Sequence, residues 1–330
     1  MRLLTILFLF ITVYLFPQRI VLENFETVEG WKVFKSDGVD LSFSTAKGKV
    51  GNAIKIEYNF SKGSGYGGIQ KRIPVEFPQN FKFTYFIKGE SPENNFEFKL
   101  IDSTGNSVWW VNNRSFQFPS SWKEIGVKRR NIDFAWGPIS DKSLKRIAFI
   151  EFTIASAVGG KGVAYLDELT FEPLEIPDGK LDVQNITAIP EYNLTGLNKL
   201  TDKNNKSIWY SEKRDKQDII LDFGKLKEIG GLVVHWDRQN FPNEYSVLLS
   251  SDGVNYERLF KGDYQFGFAS YVPLPEAEAR YIKIEMRESV ATKFGIAEIE
   301  IKDIAYSRSK NDFISNIAKV EKRGYFPRYF

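Results

Sequence analysis

Four short stretches carry side chains whose types and spacing could do chemistry. Thr201–Trp209 reads TDKNNKSIW, an unbroken polar run closed by Ile208 and Trp209; basic loops that grip phosphate, metal loops and solvated turns all take this form. Residues 107–114 read SVWWVNNR. Successive residues on a strand point to opposite faces, so Trp109 and Trp110 cannot both enter a core, and one is expected on an outer or concave face near Asn112 or Arg114. Flat aromatic faces stack on the apolar C–H faces of sugar rings, while Asn, Arg and Asp bond hydroxyls. Residues 63–68, GSGYGG, satisfy a formal G-x-G-x-x-G, but the strand-like IQKRIPVEF with Pro74 follows instead of the helix a dinucleotide site needs. That stretch is expected to be a flexible hairpin loop with Tyr66 at its tip, open to a ligand. His235 is the single histidine, which excludes a multi-His zinc site; in LVVHW it falls on the face opposite Val234 and Trp236, the place of a satisfied sheet histidine.

Other chemistry is narrowed by composition. With no cysteine there is no thiol nucleophile, iron–sulfur ligand or lipidated Cys anchor. The 42 acidic residues leave paired-carboxylate catalysis open, yet nothing singles out a pair. A net charge of +3 spread without a basic stripe argues against nucleic acid, and VKRRN at 127–131 reads as a solvated charge run.

The elements that must position these residues are strands. A chain of 330 residues is expected to form two domains, and an aromatic fraction of 15% favours sheets with aromatic cores or flat binding faces. Residues 1–18, MRLLTILFLFITVYLFPQ, fit the charged head and apolar middle of an export signal, with an uncleaved anchor as the rival reading. Export without disulfides leaves core size or a metal to hold each domain. IKIEYNF (54–60), FKFTYFIK (81–88), FEFKLID (96–102) and FIEFTIAS (149–156) alternate or are aromatic-rich, which predicts a jelly-roll sandwich over 19–174. EPLEIPDGKLDVQN marks a linker near 175–185. DIILDFG (218–224), GLVVHW (231–236), EYSVLLSSDG (244–253), RYIKIEM (280–286) and GIAEIEI (295–301) predict a second sandwich over 186–305. In 306–330, NDFISNIAKVEKRG takes a helical period, with Asn311 or Asp312 as cap and Gly324 as stop, before an aromatic YFPRYF that points to a domain beyond.

The ordered motifs LTDKNNKSIWYS, LDFGK, SSDGVNYE and ARYIKI make residues 185–305 resemble the coagulation factor V/VIII type C, or discoidin, domain, whose bacterial members include family 32 carbohydrate-binding modules. The resemblance implies an eight-stranded jelly roll with structural calcium, held by the Leu200 region carbonyls, Asp202, Asn205 and Ser207 and closed by Glu298. Lys203 and Lys206 must then point outward. Its ligand-end loops carry Asp237, Arg238, Asn240 and Phe241, then Tyr264, Phe266 and Phe268. IVLENFETVEGWKVF, GNAIKIEY and VAYLDELTFEP make residues 19–175 resemble family 11 carbohydrate-binding modules and other galactose-binding-like sandwiches, which implies a structural calcium between Glu23 and Asp167.

Together these give an all-β expectation: two galactose-binding-like jelly-roll sandwiches in tandem with a short C-terminal helix. The expected role is non-catalytic, calcium-stabilised carbohydrate binding by a secreted, periplasmic or cell-surface protein with no membrane span after signal removal. The alternatives are the ancillary region of a glycan-active enzyme whose catalytic domain follows, and an adhesion module for protein or lipid surfaces.

Overall fold

The computed structural model describes residues 19–62, 64–176, 180–191, 193–213, 215–263 and 269–321. The export-signal stretch, Tyr264, Phe266, Phe268 and the YFPRYF tail lie outside the described residues. The chain divides after Ile176 into two units, each an antiparallel sandwich.

In the first unit the strands are β1 (Ile20–Glu23), β2 (Lys32–Lys35), β3 (Asp40–Lys47), β4 (Asn52–Asn59), β5 (Tyr66–Glu76) and β6 (Phe81–Glu90). They continue as β7 (Asn94–Ile101), β8 (Val108–Phe116), β9 (Lys123–Lys128), β10 (Asp133–Trp136), β11 (Arg146–Ala155) and β12 (Lys161–Pro173). One sheet runs β3-β4-β12-β6-β9 with β1 added to β12, and the other β10-β8-β7-β11-β5-β2. Neighbours far apart in sequence, such as β4 and β12, are the mark of jelly-roll connection. Alternation puts Phe83, Tyr85 and Ile87 of β6 against Phe96, Phe98, Ile150 and Phe152 of the facing sheet in one cluster. Tyr85 and Phe152 meet edge-on with centroids 5.3 Å apart, and Phe83 and Phe98 at 5.2 Å. Each such ring contributes about 1.5–3 kcal/mol by leaving water. Burial pushes the unpartnered Tyr85 phenol well above its ordinary pKa.

The second unit holds β13 (Asn185–Ile189), β14 (Trp209–Tyr210), β15 (Lys216–Trp236), β16 (Pro242–Ser250), β17 (Glu257–Asp263), β18 (Ala269–Ser289) and β19 (Gly295–Asp303). DIILDFG and GLVVHW, expected as two strands, are one 21-residue strand, and RYIKIEM is the second half of another. The first half of β15 pairs with β13 and the end of β18; its second half pairs with β19 and the start of β18. Both long strands therefore pass from one layer to the other. The ladder breaks between Asp222 and Lys227, where Gly224 has φ +74°, and again between Ile229 and Gly231, where Glu276 on the partner has φ +60°. Ile219, Leu221, Ile282 and Ile284 of one layer pack with Leu232, Val234, Val272 and Ile296 of the other.

The helix α1 (Lys310–Glu321) starts at Ser309, whose Oγ accepts the Asp312 N–H at 3.1 Å, so Ser309 takes the capping place expected of Asn311 or Asp312. Phe313 and Ile317 bury their side chains on Val233, Tyr271 and Tyr306.

Candidate functional site

GSGYGG departs from the loop reading: Tyr66, Gly67 and Gly68 belong to β5. A Cβ on Gly68 would lie 2.7 Å from the Phe34 ring and 2.2 Å from the Phe152 carbonyl, so the glycine lets Phe34 cross the sheet. Trp109 and Trp110 separate as alternation requires. Trp109 is core, its indole N–H donating to the Lys142 carbonyl at 2.7 Å, whereas Trp110 lies on the outer face.

That outer face gathers side chains from every strand of the sheet. Lys32, Gln70, Glu151, Lys99, Trp110 and Asp133 are register partners in one line, and Phe34, Gly68, Thr153, Glu97 and Asn112 in the next. Charged residues on an outer face are ordinarily solvated, yet Glu97, Lys99 and Glu151 are 6–7% exposed and Thr153 is 0%. The Lys99 ammonium uses its three donors on Glu97 Oε2 at 2.9 Å, Glu151 Oε1 at 3.1 Å and Thr153 Oγ at 3.0 Å. Gln70 donates to Glu151 Oε2 at 2.9 Å. Phe34 and Trp136 roof the ammonium with centroids at 5.9 and 5.7 Å, and Trp110 meets Trp136 edge-on at 5.4 Å.

The result is a furrow with an accepting floor and aromatic walls. Asn112 Oδ1 is buried without a partner, and Trp136 and Tyr66 are about half exposed, Tyr66 beside Phe34. Because one ammonium holds both carboxylates, neither stands as a free general acid or base; the triad fixes geometry. Arg114 follows in β8 and is exposed.

Glu23 and Asp167, expected together from the family 11 resemblance, take different partners. Glu23 Oε1 accepts the Phe25 N–H at 2.9 Å, and Oε2 takes Lys71 Nζ. The carboxylate that acts on Asp167 from the opening segment is Glu26, which accepts the Asn52 N–H at the β3–β4 turn. Asp167 is fully buried; Oδ2 accepts Lys49 and Val50 N–H at 2.7 and 3.0 Å, and Oδ1 has no partner. Burial raises its pKa against the pull of those N–H groups. An orphaned buried carboxylate oxygen beside a second carboxylate and a turn is a donor set that suits calcium.

The TDKNNKSIW loop is differently occupied. Asp202 Oδ1 accepts the Asn204 N–H at 2.9 Å and Oδ2 the Ser207 hydroxyl at 2.6 Å, while Ser207 also reaches the Asn204 carbonyl at 3.0 Å. Glu298, 3% exposed, accepts the Asn204 N–H at 3.1 Å, and burial raises its pKa. Lys203 turns the backbone at φ +62°, Leu200 is core, and Asn205 is exposed. Asp202, Ser207 and Glu298 thus meet, with oxygens turned to the loop's own donors, whereas Asp167 Oδ1 has no donor.

At another edge, Asn240 donates to Asp237, the Tyr210 hydroxyl bonds Asp237, and Lys293 stands 3.8 Å over the Tyr210 ring. Burial, then Asp237, raises the Tyr210 phenol. Phe241, expected as part of a platform, packs on the second core; Arg238 is exposed. His235 lies outside the core and bonds Glu300 at 2.7 Å, and that bond brings Glu300 down to about 2.

Among the described residues no group of three or more His, Cys, Asp or Glu side chains forms a metal cluster, and no helix is long and apolar enough to cross a membrane. Sequence reasoning missed Phe34, Gln70, Glu97, Lys99, Trp136, Glu151 and Glu26. The one available signal was charge inside otherwise apolar strands, FEFKL and FIEFT.

Residues 185–300 match the F5/8 type C domain model. A polysaccharide lyase 8 family protein, HylA, of Enterococcus faecalis is 30% identical over 90 residues, 26% of this chain; the match spans 6% of that relative's length. Among solved structures, a family 11 carbohydrate-binding module from Clostridium thermocellum, in complex with a β-1,3-1,4-mixed-linked tetrasaccharide, is 23% identical over 48% of this chain and 98% of its own, with a TM-score of 0.41. CpGH89CBM32-5 from Clostridium perfringens, in complex with GalNAc-β-1,3-galactose, is 20% identical over 36% of this chain and 94% of its own, with a TM-score of 0.33.

Proposed function

We propose that this chain is a carbohydrate-binding region without its own catalytic centre, in which the furrow of the first sandwich takes an uncharged sugar chain. The furrow carries the reading: Trp110, Trp136, Phe34 and Tyr66 supply flat apolar faces, and a fixed row of accepting oxygens meets sugar hydroxyls. Glu97 and Glu151 outnumber Lys99 in the floor, which disfavours an acidic sugar there. The carbohydrates held by the similar modules agree with this class of ligand, as does the F5/8 type C match of the second sandwich.

Calcium fits as a structural brace at Asp167 and Glu26, tying the last strand to the β3–β4 turn. The lyase resemblance favours the second reading, an ancillary region that keeps an enzyme on its polymer, in a secreted or surface protein. Affinity electrophoresis of the full chain in gels of mixed-linked glucan and other neutral polysaccharides tests the first reading. Retardation by at least one polymer, lost in Trp110→Ala and Trp136→Ala, is expected; folded protein that migrates freely in all of them overturns it.

A further inference from the structure

The opposite sheet of the first sandwich has a row of its own. Lys55, Tyr165 and Lys88 are register partners across β4, β12 and β6. Trp122 extends the line just before β9, where Ile87 pairs with Lys123. Core residues Ile54, Ile56, Ala164, Leu166 and Ile87 alternate with these positions, so the row stands on the outer face. At about 4.8 Å per strand it runs for about 14 Å.

Lys88 is the unusual member. Its ammonium stands 4.9 Å from the Trp122 centroid and 4.7 Å from the Tyr165 centroid, and the two rings meet edge-on at 6.4 Å. Several other lysines of this unit have carboxylates: Lys55 has Glu57 at 2.8 Å, Lys82 has Glu172 at 3.7 Å, and Lys99 has Glu97 at 2.9 Å, while Lys49 and Lys142 each stand over a single ring. Lys88 has none within ion-pair distance among the described residues. Both rings and the lysine are half-buried, so their positions are fixed while one side of each meets solvent. Two rings holding an ammonium supply cation–π attraction but leave its N–H donors without an anion.

We propose that this row is a second carbohydrate site, distinct from the furrow, and that it takes a uronate-bearing polysaccharide. A sugar ring lying on Tyr165 or Trp122 buries its C–H face. An equatorial carboxylate lies close to that ring's plane and so points along the row, toward Lys88. Lys55 stands on the other side of Tyr165, where it already has a carboxylate, so Lys88 is the discriminating cation. A sulfate ester, set one rotatable C–O bond further from the ring, is not held in that alignment. The inference stands on the Lys88 row alone and survives if the furrow proves to bind nothing.

The test uses the full chain and titration calorimetry with polyglucuronate, its carboxyl-reduced polymer and a sulfated neutral glucan. Binding to polyglucuronate is expected, weakened about tenfold in Lys88→Met, which keeps the aliphatic stem against the rings, and similarly in Trp122→Ala. Added salt weakens it further, and the reduced polymer gives no Lys88-dependent binding. Absence of polyglucuronate binding by folded protein overturns the proposal. So does equal binding by Lys88→Met with an unchanged melting temperature, or a sulfated glucan that matches polyglucuronate with the same dependence on Lys88. Loss of polyglucuronate binding in Trp110→Ala but not in Lys88→Met overturns it too, by moving the acidic ligand to the furrow.

Discussion

The two sandwiches use the same fold to opposite ends. In the first, an outer sheet face buries three charged side chains under aromatic rings and keeps the Asn112 Oδ1 beside them buried without a partner. In the second, the polar residues that draw the eye, those of TDKNNKSIW and of the Asp237–Asn240 turn, bond one another. Polarity closed on itself builds a turn, whereas polarity held rigid with spare acceptors can receive a ligand. Sequence motifs therefore mark the second sandwich more clearly, and chemistry concentrates in the first.

The strongest challenge to this contrast is Lys99→Met, which strands two buried carboxylates and is expected to cost about 3–5 kcal/mol in urea unfolding. Adding Glu97→Gln and Glu151→Gln should restore much of it. If Lys99→Met is neutral, the triad does not organise the furrow. Next in size is calcium. A saturating hundredfold excess over its dissociation constant stabilises by about 2.7 kcal/mol, and hydrogen exchange should show protection over 19–176 and little over 180–321. Asp167→Asn is expected to abolish that protection and Asp202→Ala to leave it. Protection confined to the second sandwich reverses the ranking of the two donor sets.

A smaller effect separates the ligand faces: Trp110→Ala should weaken neutral-glycan binding about tenfold, or about 1.4 kcal/mol. Asp237→Ala should leave it unchanged in the same calorimetry. The least effect is on the pH profile of the second sandwich. Arg280, bonding Asp222 at 2.8 and 3.0 Å, holds that carboxyl below the ordinary carboxylate range. Its contribution is complete above that range and is lost as pH falls through and below it. Asp222→Asn should therefore flatten the acid limb of a melting-temperature curve by no more than about 1 kcal/mol.

What could be read in the sequence follows from range. Strand positions, the separation of Trp109 from Trp110 to opposite faces, and the outer-face His235 depend on local alternation, and the structure places them accordingly, while which tryptophan turns inward depends on register. The furrow depends on register between strands such as β2 and β5, or β7 and β11, which no local pattern encodes. Lys99 in FEFKL looks like any solvent-facing residue of an alternating strand; its burial comes from Phe34 and Trp136 on edge strands far away in the chain. Glu26 was hidden by geometry of another sort. Register slips between Val21 and Glu23, and Phe25 takes φ +55°, so the opening strand turns Glu23 toward Lys71 and leaves Glu26 to the turn.

The two 21-residue strands of the second sandwich have a mechanical meaning. Because β15 and β18 pair with each other in both layers, neither layer can be stripped off while the other stays whole. Tension carried along either strand therefore loads both layers together, across the irregularities at Asp222–Lys227 and Ile229–Gly231.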